Sequence, residues 1–128
     1  MPKRILVVED NEDSRSILVT MFRRFAYETI EAANGIESIE KARSEKPDLV
    51  IMDLDLPELS GIDAAKIIHQ DPNTAHIPII AYTAWPPQIW KKKALSVGIV
   101  DYLQKPVAWE VIKATLEKYL ARCSSAQL

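Results

Sequence analysis

The chain is predicted to fold as an α/β domain, a doubly wound parallel sheet of five strands between helical layers. Two observations predict it. Apolar runs alternate with segments of helical period five times along the chain. The first, third and fourth of those runs are apolar nearly throughout, as parallel strands covered on both faces must be. A length of 128 residues with 48% hydrophobic content suits one such domain.

The first strand is predicted over Arg4–Val8, and the helix after it over Ser14–Phe25. A second strand is placed at Thr29–Ala33. Asn34-Gly35, with Glu37 three positions beyond the asparagine, then turns the chain into a capped helix over Ile36–Ser44. The third strand, Leu49–Met52, leads through a loop to Ser60-Gly61-Ile62-Asp63, a serine cap with an acid at the third position, and a helix over Ile62–Gln70. The fourth strand is set at Pro78–Tyr82. Pro86-Pro87 then opens a helix to Val97, since first-turn amides lack partners in any case, and Gly98 ends it in a left-handed turn. A fifth strand, Val100–Leu103, precedes a last helix over Trp109–Ala121. The folded domain is taken as residues 1–122, with 123–128 as a frayed tail.

A net charge of −2 is that of an ordinary soluble chain and gives no bulk attraction to nucleic acid. No apolar run approaches the roughly 20 residues of a membrane helix. The amino terminus reads as a strand and not as a secretory leader. The single Cys123 excludes an internal disulfide framework, and a reducing cytoplasm is the natural setting. Lys91-Lys92-Lys93 is read as a solvated face, so no direct nucleic-acid contact is expected. His69 and His76 lie far in sequence from the acidic strand ends and are placed on the surface.

In an open parallel sheet, ligands gather beyond the carboxyl ends of the strands. Glu9 and Asp10 follow the first strand, Asp53 and Asp55 the third, Thr83 the fourth, and Lys105-Pro106 the fifth. Any one of these alone would be an ordinary cap or loop residue; their convergence on one rim is what points to a site. A carboxylate cluster without histidine or cysteine suits a hard cation, Mg²⁺ above all. A lysine beside such a site adds charge for a ligand more anionic than one carboxylate. A phosphoryl group carried by Asp53 meets both conditions, aspartate being a nucleophile known to form acyl phosphates.

The pieces "ILVVEDNEDSR", "EAANGIESIEKARSEKPDLVIMDLDLPELSGID", "IPIIAYTAW" and "GIVDYLQKP" occur in order. From Arg4 to about Leu120 they resemble the receiver domain of two-component response regulators. The resemblance implies a flavodoxin-like sheet of order 2-1-3-4-5 with five helices in three layers. It implies a switch that accepts a phosphoryl group and slowly sheds it, and not a turnover enzyme. Asp53 would take the phosphoryl group from a histidine on a sensor kinase or histidine phosphotransfer protein. Asp10 would be the principal Mg²⁺ ligand, helped by Glu9 through water and by the backbone carbonyl of Asp55. Thr83 would be the switch hydroxyl, Tyr102 the aromatic that changes rotamer, Lys105 the phosphate-pairing lysine, and Lys105-Pro106 a cis peptide.

The implied output is a surface of the fourth helix, fifth strand and fifth helix, read by a downstream protein, from a monomer or weak dimer. Lys91, Leu95, Tyr102 and Trp109 are placed on that surface, while Trp90, Ala94 and Val97 face the core. Departures from the family pattern include Glu9 for aspartate, Leu56 for methionine and the unusual Trp85-Pro86-Pro87. Trp85 is expected to restrict the approach of water to the acyl phosphate.

No output domain fits after the last helix, which suggests a stand-alone or excised receiver. Three rival readings use the same residues. Asp53-Leu54-Asp55 resembles the Asp-x-Asp of haloacid-dehalogenase-type phosphatases, yet here it follows the third strand and is continued by Leu56-Pro57. A flavin binder would need a glycine-rich phosphate loop after the first strand, and only three glycines are present. A receiver that binds partners without phosphorylation would have no use for the set of Asp10, Asp53, Thr83 and Lys105.

Overall fold

The computed structural model describes residues 2–125, with side chains through Leu120. Five strands, β1 (Arg4–Val8), β2 (Glu28–Ala32), β3 (Leu49–Met52), β4 (Ile79–Thr83) and β5 (Asp101–Gln104), form one parallel sheet of order β2-β1-β3-β4-β5. Each is followed by a helix: α1 (Glu12–Arg24), α2 (Gly35–Glu45), α3 (Gly61–Gln70), α4 (Pro87–Ser96) and α5 (Trp109–Ser125).

Alternation along the strands divides the core in two. Leu6, Val8, Val50, Met52, Ile79 and Ala81 face one way, against Ala42 of α2, Ile62, Ala65 and Ile68 of α3, and Ala94 of α4. Ile5, Val7, Leu49, Ile51 and Ile80 face the other way, against Leu18 and Phe22 of α1 and Ile112 and Leu116 of α5. Each fully buried Ile or Leu contributes about 1.5–3 kcal/mol relative to exposure, so both layers hold the sheet rigidly. Among the described residues, no helix is long and apolar enough to cross a membrane.

The predicted elements all form, with shifted edges. Helix α1 starts at Glu12 because Asn11, not a later residue, accepts the Ser14 amide at 2.9 Å and leaves Glu12 and Asp13 in the favourable first turn. Strand β4 begins after Pro78, which has no N–H for the ladder and only accepts from Val50. Strands β2 and β5, at the sheet's edges, are displaced by one residue each from their expected bounds. The predicted caps of α2 and α3 are made by Asn34 and Ser60, and Gly98 has φ +103° after α4. Helix α5 runs past Ala121 to Ser125; of the tail expected to fray, residues 126–128 lie outside the described residues.

Candidate functional site

Four loops meet at the carboxyl ends of the central strands. Val8 pairs with Met52 and Met52 with Ala81 across β1, β3 and β4, so the residues that follow emerge side by side. Carboxylate oxygens of Glu9, Asp10 and Asp53 all lie within 4.8 Å of one another. From the far side, Lys105 Nζ donates to Asp53 Oδ2 at 3.0 Å and to Glu9 Oε2 at 3.4 Å. The other Asp53 oxygen accepts the Asp55 amide at 3.0 Å.

The backbone is fixed tightly around these groups. The Asp53 amide donates to Val8 O, tying the loop to β1, and Gly61 N donates to Leu54 O. A Cβ on Gly61 would stand 2.4 Å from the Asp53 carbonyl oxygen, so only glycine permits this approach. Lys105 is aimed from a cis Lys105–Pro106 peptide, and its amide donates to Thr83 O at 2.8 Å.

Electrostatics follow from crowding. Glu9 is 4% exposed and Asp53 7%. Burial, then the hydrogen bond and charge of Asp53, push the Glu9 carboxyl up to about 7 against the pull of Lys105. Burial would raise Asp53 too, but hydrogen bonds from Glu9, the Asp55 amide and Lys105 bring it below the ordinary carboxylate range. Burial would lower Lys105, and it is overcome by the hydrogen bond and charge of Asp53 and by Glu9, which raise it. One ammonium thus faces three acids. Hard oxygen donors in excess of positive charge, with no histidine or cysteine among them, fit a divalent cation such as Mg²⁺.

Thr83 ends β4 and is 0% exposed, with its Oγ1 accepting the Trp85 amide at 3.3 Å. Tyr102 is buried, with its hydroxyl donating to Trp85 O at 2.7 Å. The expected partner surface is corrected here, because Tyr102 points inward in this structure. Trp109 leaves that surface too. It lines a groove of about 120 Å³ with Ser14, Ile17, Leu18, Tyr82 and Lys105, on the α1 side of the sheet. Ala94 is buried, Trp90 and Val97 pack on the core, and Lys91 and Leu95 are exposed as expected. The Trp85 indole is half-buried against Trp90, 4.5 Å between ring centroids.

Two contributors escaped the sequence reading. Arg15 donates from Nη1 to Glu9 O at 2.8 Å while its Nε meets Glu31 at 3.0 Å, steadying the acidic loop. Its position four residues after the Asn11 cap, on the first turns of α1, was the only available signal. Tyr82 presents its ring face 5.0 Å from Lys105 Nζ. Strand alternation sends Tyr82 away from Thr83, so nothing in spacing alone links it to the lysine.

Comparison with known proteins matches the response regulator receiver domain over residues 5–117. The polar-differentiation response regulator DivK of Brucella anthropi is 36% identical over 94% of this chain and 98% of its own length. The receiver domain of a sensor histidine kinase from Pseudomonas aeruginosa PAO1, solved with magnesium in its active-site cleft, superposes with TM-score 0.87 at 31% identity. That match covers 94% of this chain and 99% of that one. A Saccharomyces cerevisiae receiver domain, crystallised with its histidine phosphotransfer protein, gives TM-score 0.84 at 33% identity, covering 94% and 90%.

Proposed function

This chain belongs to the response regulator receiver family, and from that premise we propose that it is a switch that takes a phosphoryl group onto Asp53. The observation that carries the reading is the contact of Lys105 with Asp53 inside the acidic cluster of Glu9 and Asp10. One carboxyl oxygen of Asp53 attacks phosphorus on a partner's phosphohistidine. The P–O bond forms as the P–N bond breaks, and the electron pair stays on nitrogen, releasing neutral imidazole from a ring protonated beforehand. Lys105 holds the receiving carboxylate and pairs with the new phosphoryl oxygens.

Glu9, Asp10, Asp53 and the Asp55 backbone carbonyl would hold Mg²⁺. When bound, the ion would neutralise charge on the transferring oxygens. Deprotonation of Glu9, favoured by a nearby cation, belongs to the same preparation of the site.

The phosphoryl group adds roughly −1.5 to −2 charge and strong acceptors. Thr83 Oγ1 then turns from the Trp85 amide toward it, and Tyr102 exchanges its hydrogen bond as the β4–α4 loop moves. A downstream protein reads the result as a shift between two packings. The groove on the α1 side suits the incoming histidine donor, since its apolar wall of Ile17, Leu18 and Trp109 ends at Lys105.

Incubation with phosphoramidate and Mg²⁺, followed by intact mass, tests the proposal. One phosphoryl group is expected, absent in Asp53→Asn and with chelator. Uptake by Asp53→Asn at the wild-type level would defeat it.

A further inference from the structure

Glu9 and Asp10, two of the three acids in the cluster, are neighbours in sequence and share one peptide group. That group is planar, so its orientation governs how the two side chains are presented to one another. Main-chain contacts hold the loop on both sides. The Glu9 amide donates to Ala32 O at 3.1 Å, and the Arg15 amide donates to Asn11 O at 2.9 Å. The carbonyl of the shared group itself accepts from Arg15 Nη1 at 2.8 Å. Arg15 therefore brackets Asp10, with its main chain on the residue after and its side chain on the residue before.

The reach backward is natural on α1, since helical side chains lean toward the amino end. The guanidinium is in turn aimed by Glu31, which accepts from Nε at 3.0 Å. Glu31 precedes Ala32, the residue that accepts the Glu9 amide, so the contacts close a ring from α1 through the acidic loop to β2. Two donors on one rigid plane make this clamp, which an ammonium on a flexible stem does not reproduce. The Glu31 side chain is 47% exposed, and a pair open to water to that degree adds little stability. Holding the loop, and not the pair's own stability, accounts for the arrangement.

We propose that Arg15 is a positioning residue for the divalent-ion site: by fixing the Glu9–Asp10 peptide it sets the affinity of the acidic cluster for Mg²⁺, with Glu31 acting through it. This rests on the proposed function, since it concerns the ion which that reading assigns to Glu9, Asp10 and Asp53. Groups that orient metal ligands from behind carry about tenfold to a hundredfold of the affinity. Charge alone gives the opposite sign. A guanidinium near the cluster repels a cation, so its removal would tighten binding if repulsion were its only effect. Loss of orientation weakens binding instead, and the direction of the change separates the two.

The test is calorimetric titration of Mg²⁺ into the full chain, with intact mass after phosphoramidate treatment reporting uptake. Arg15→Met is expected to bind Mg²⁺ about tenfold more weakly, and Arg15→Lys to recover part of the loss. Glu31→Ala should weaken binding in the same direction, and added to Arg15→Met it should change nothing further. The rate of uptake at saturating Mg²⁺ should stay within about threefold of wild type, so that the loss falls on half-saturation by the ion. Arg4→Met is the control, because Arg4 makes the same kind of clamp, on the Glu45 carbonyl and carboxylate, at the opposite end of β1. It should lower the urea midpoint and leave Mg²⁺ affinity alone. Unchanged or tighter binding by Arg15→Met, or equal weakening by Arg4→Met, overturns the inference, while uptake on Asp53 by wild type leaves the switch standing. Should Arg15→Met not fold, Arg15→Lys and Glu31→Ala carry the comparison, and wild-type affinity in both overturns it. A wild-type chain that binds Mg²⁺ yet takes no phosphoryl group defeats the switch, and the affinities still decide the role of Arg15. No binding of Mg²⁺ by wild type overturns the inference outright.

Discussion

Lys105 Nζ lies 3.0 Å from Asp53 Oδ2 although 52 residues separate them in sequence. The pair is mostly withdrawn from water, so each charge depends on the other. Lys105→Met should leave the helical circular dichroism unchanged and slow phosphoryl uptake by about two orders of magnitude, the usual effect of losing one preorganised donor. Rapid-quench assay with phosphoramidate at saturating Mg²⁺ measures it. A rate within twofold of wild type would disprove this role for the lysine.

Glu9 gives a pH dependence with a definite sign. Its carboxyl titrates near 4.5 in the unfolded chain and is pushed up to about 7 in the fold. Between those values the native state holds a proton that the unfolded state has lost. Metal-free stability should therefore decline as pH rises from 4.5 through 7, and level off above. Urea midpoints in chelator should show this slope in wild type and lose it in Glu9→Gln. For the same reason divalent-ion binding should release a proton below pH 7 and little above it, as buffers of different ionisation enthalpy would reveal by calorimetry.

Trp85 is proposed to govern the lifetime of the product. It follows Thr83 by two residues, and its indole is held by Trp90. In Trp85→Ala the acyl phosphate should hydrolyse severalfold faster, while the rate of phosphoryl uptake changes little. Decay of labelled protein after removal of the donor provides the measurement. An unchanged decay would mean that the indole serves packing alone.

Ala26 offers a prediction about stability away from the site. Helix α1 closes with Ala26 N donating to Arg23 O and Tyr27 N to Phe22 O, which forces Ala26 to φ 73°. That left-handed conformation suits glycine. Ala26→Gly should stabilise the domain by about 1 kcal/mol, read from urea denaturation with unchanged slope. Destabilisation would show that the methyl group makes a contact worth more than the strain.

Much of this was legible because burial leaves a strong mark. The runs over Arg4–Val8 and Leu49–Met52 are apolar apart from Arg4, and both strands have their expected bounds. The edge strands slipped by one because polar residues, Glu28, Thr29 and Glu31 in β2 and Asp101 and Gln104 at the two ends of β5, interrupt the apolar run that marks a buried strand. The strand-end rule brought Glu9, Asp10, Asp53, Thr83 and Lys105 to one rim. Side-chain direction was less accessible. Tyr102 was placed on the partner surface by the resemblance alone, and no sequence pattern disclosed that its hydroxyl reaches Trp85 O and that the side chain is buried. The Arg15 and Tyr82 contacts depend on the packing of α1 and α5 against the sheet, which no local pattern encodes.

At residue 85 the two hydrogen bonds to the Thr83 and Tyr102 side chains are made by main-chain atoms, the amide toward Thr83 and the carbonyl toward Tyr102. Every amino acid except proline carries both groups. Substitution of the indole therefore leaves both links in place, so that any effect of the side chain can be read separately from theirs.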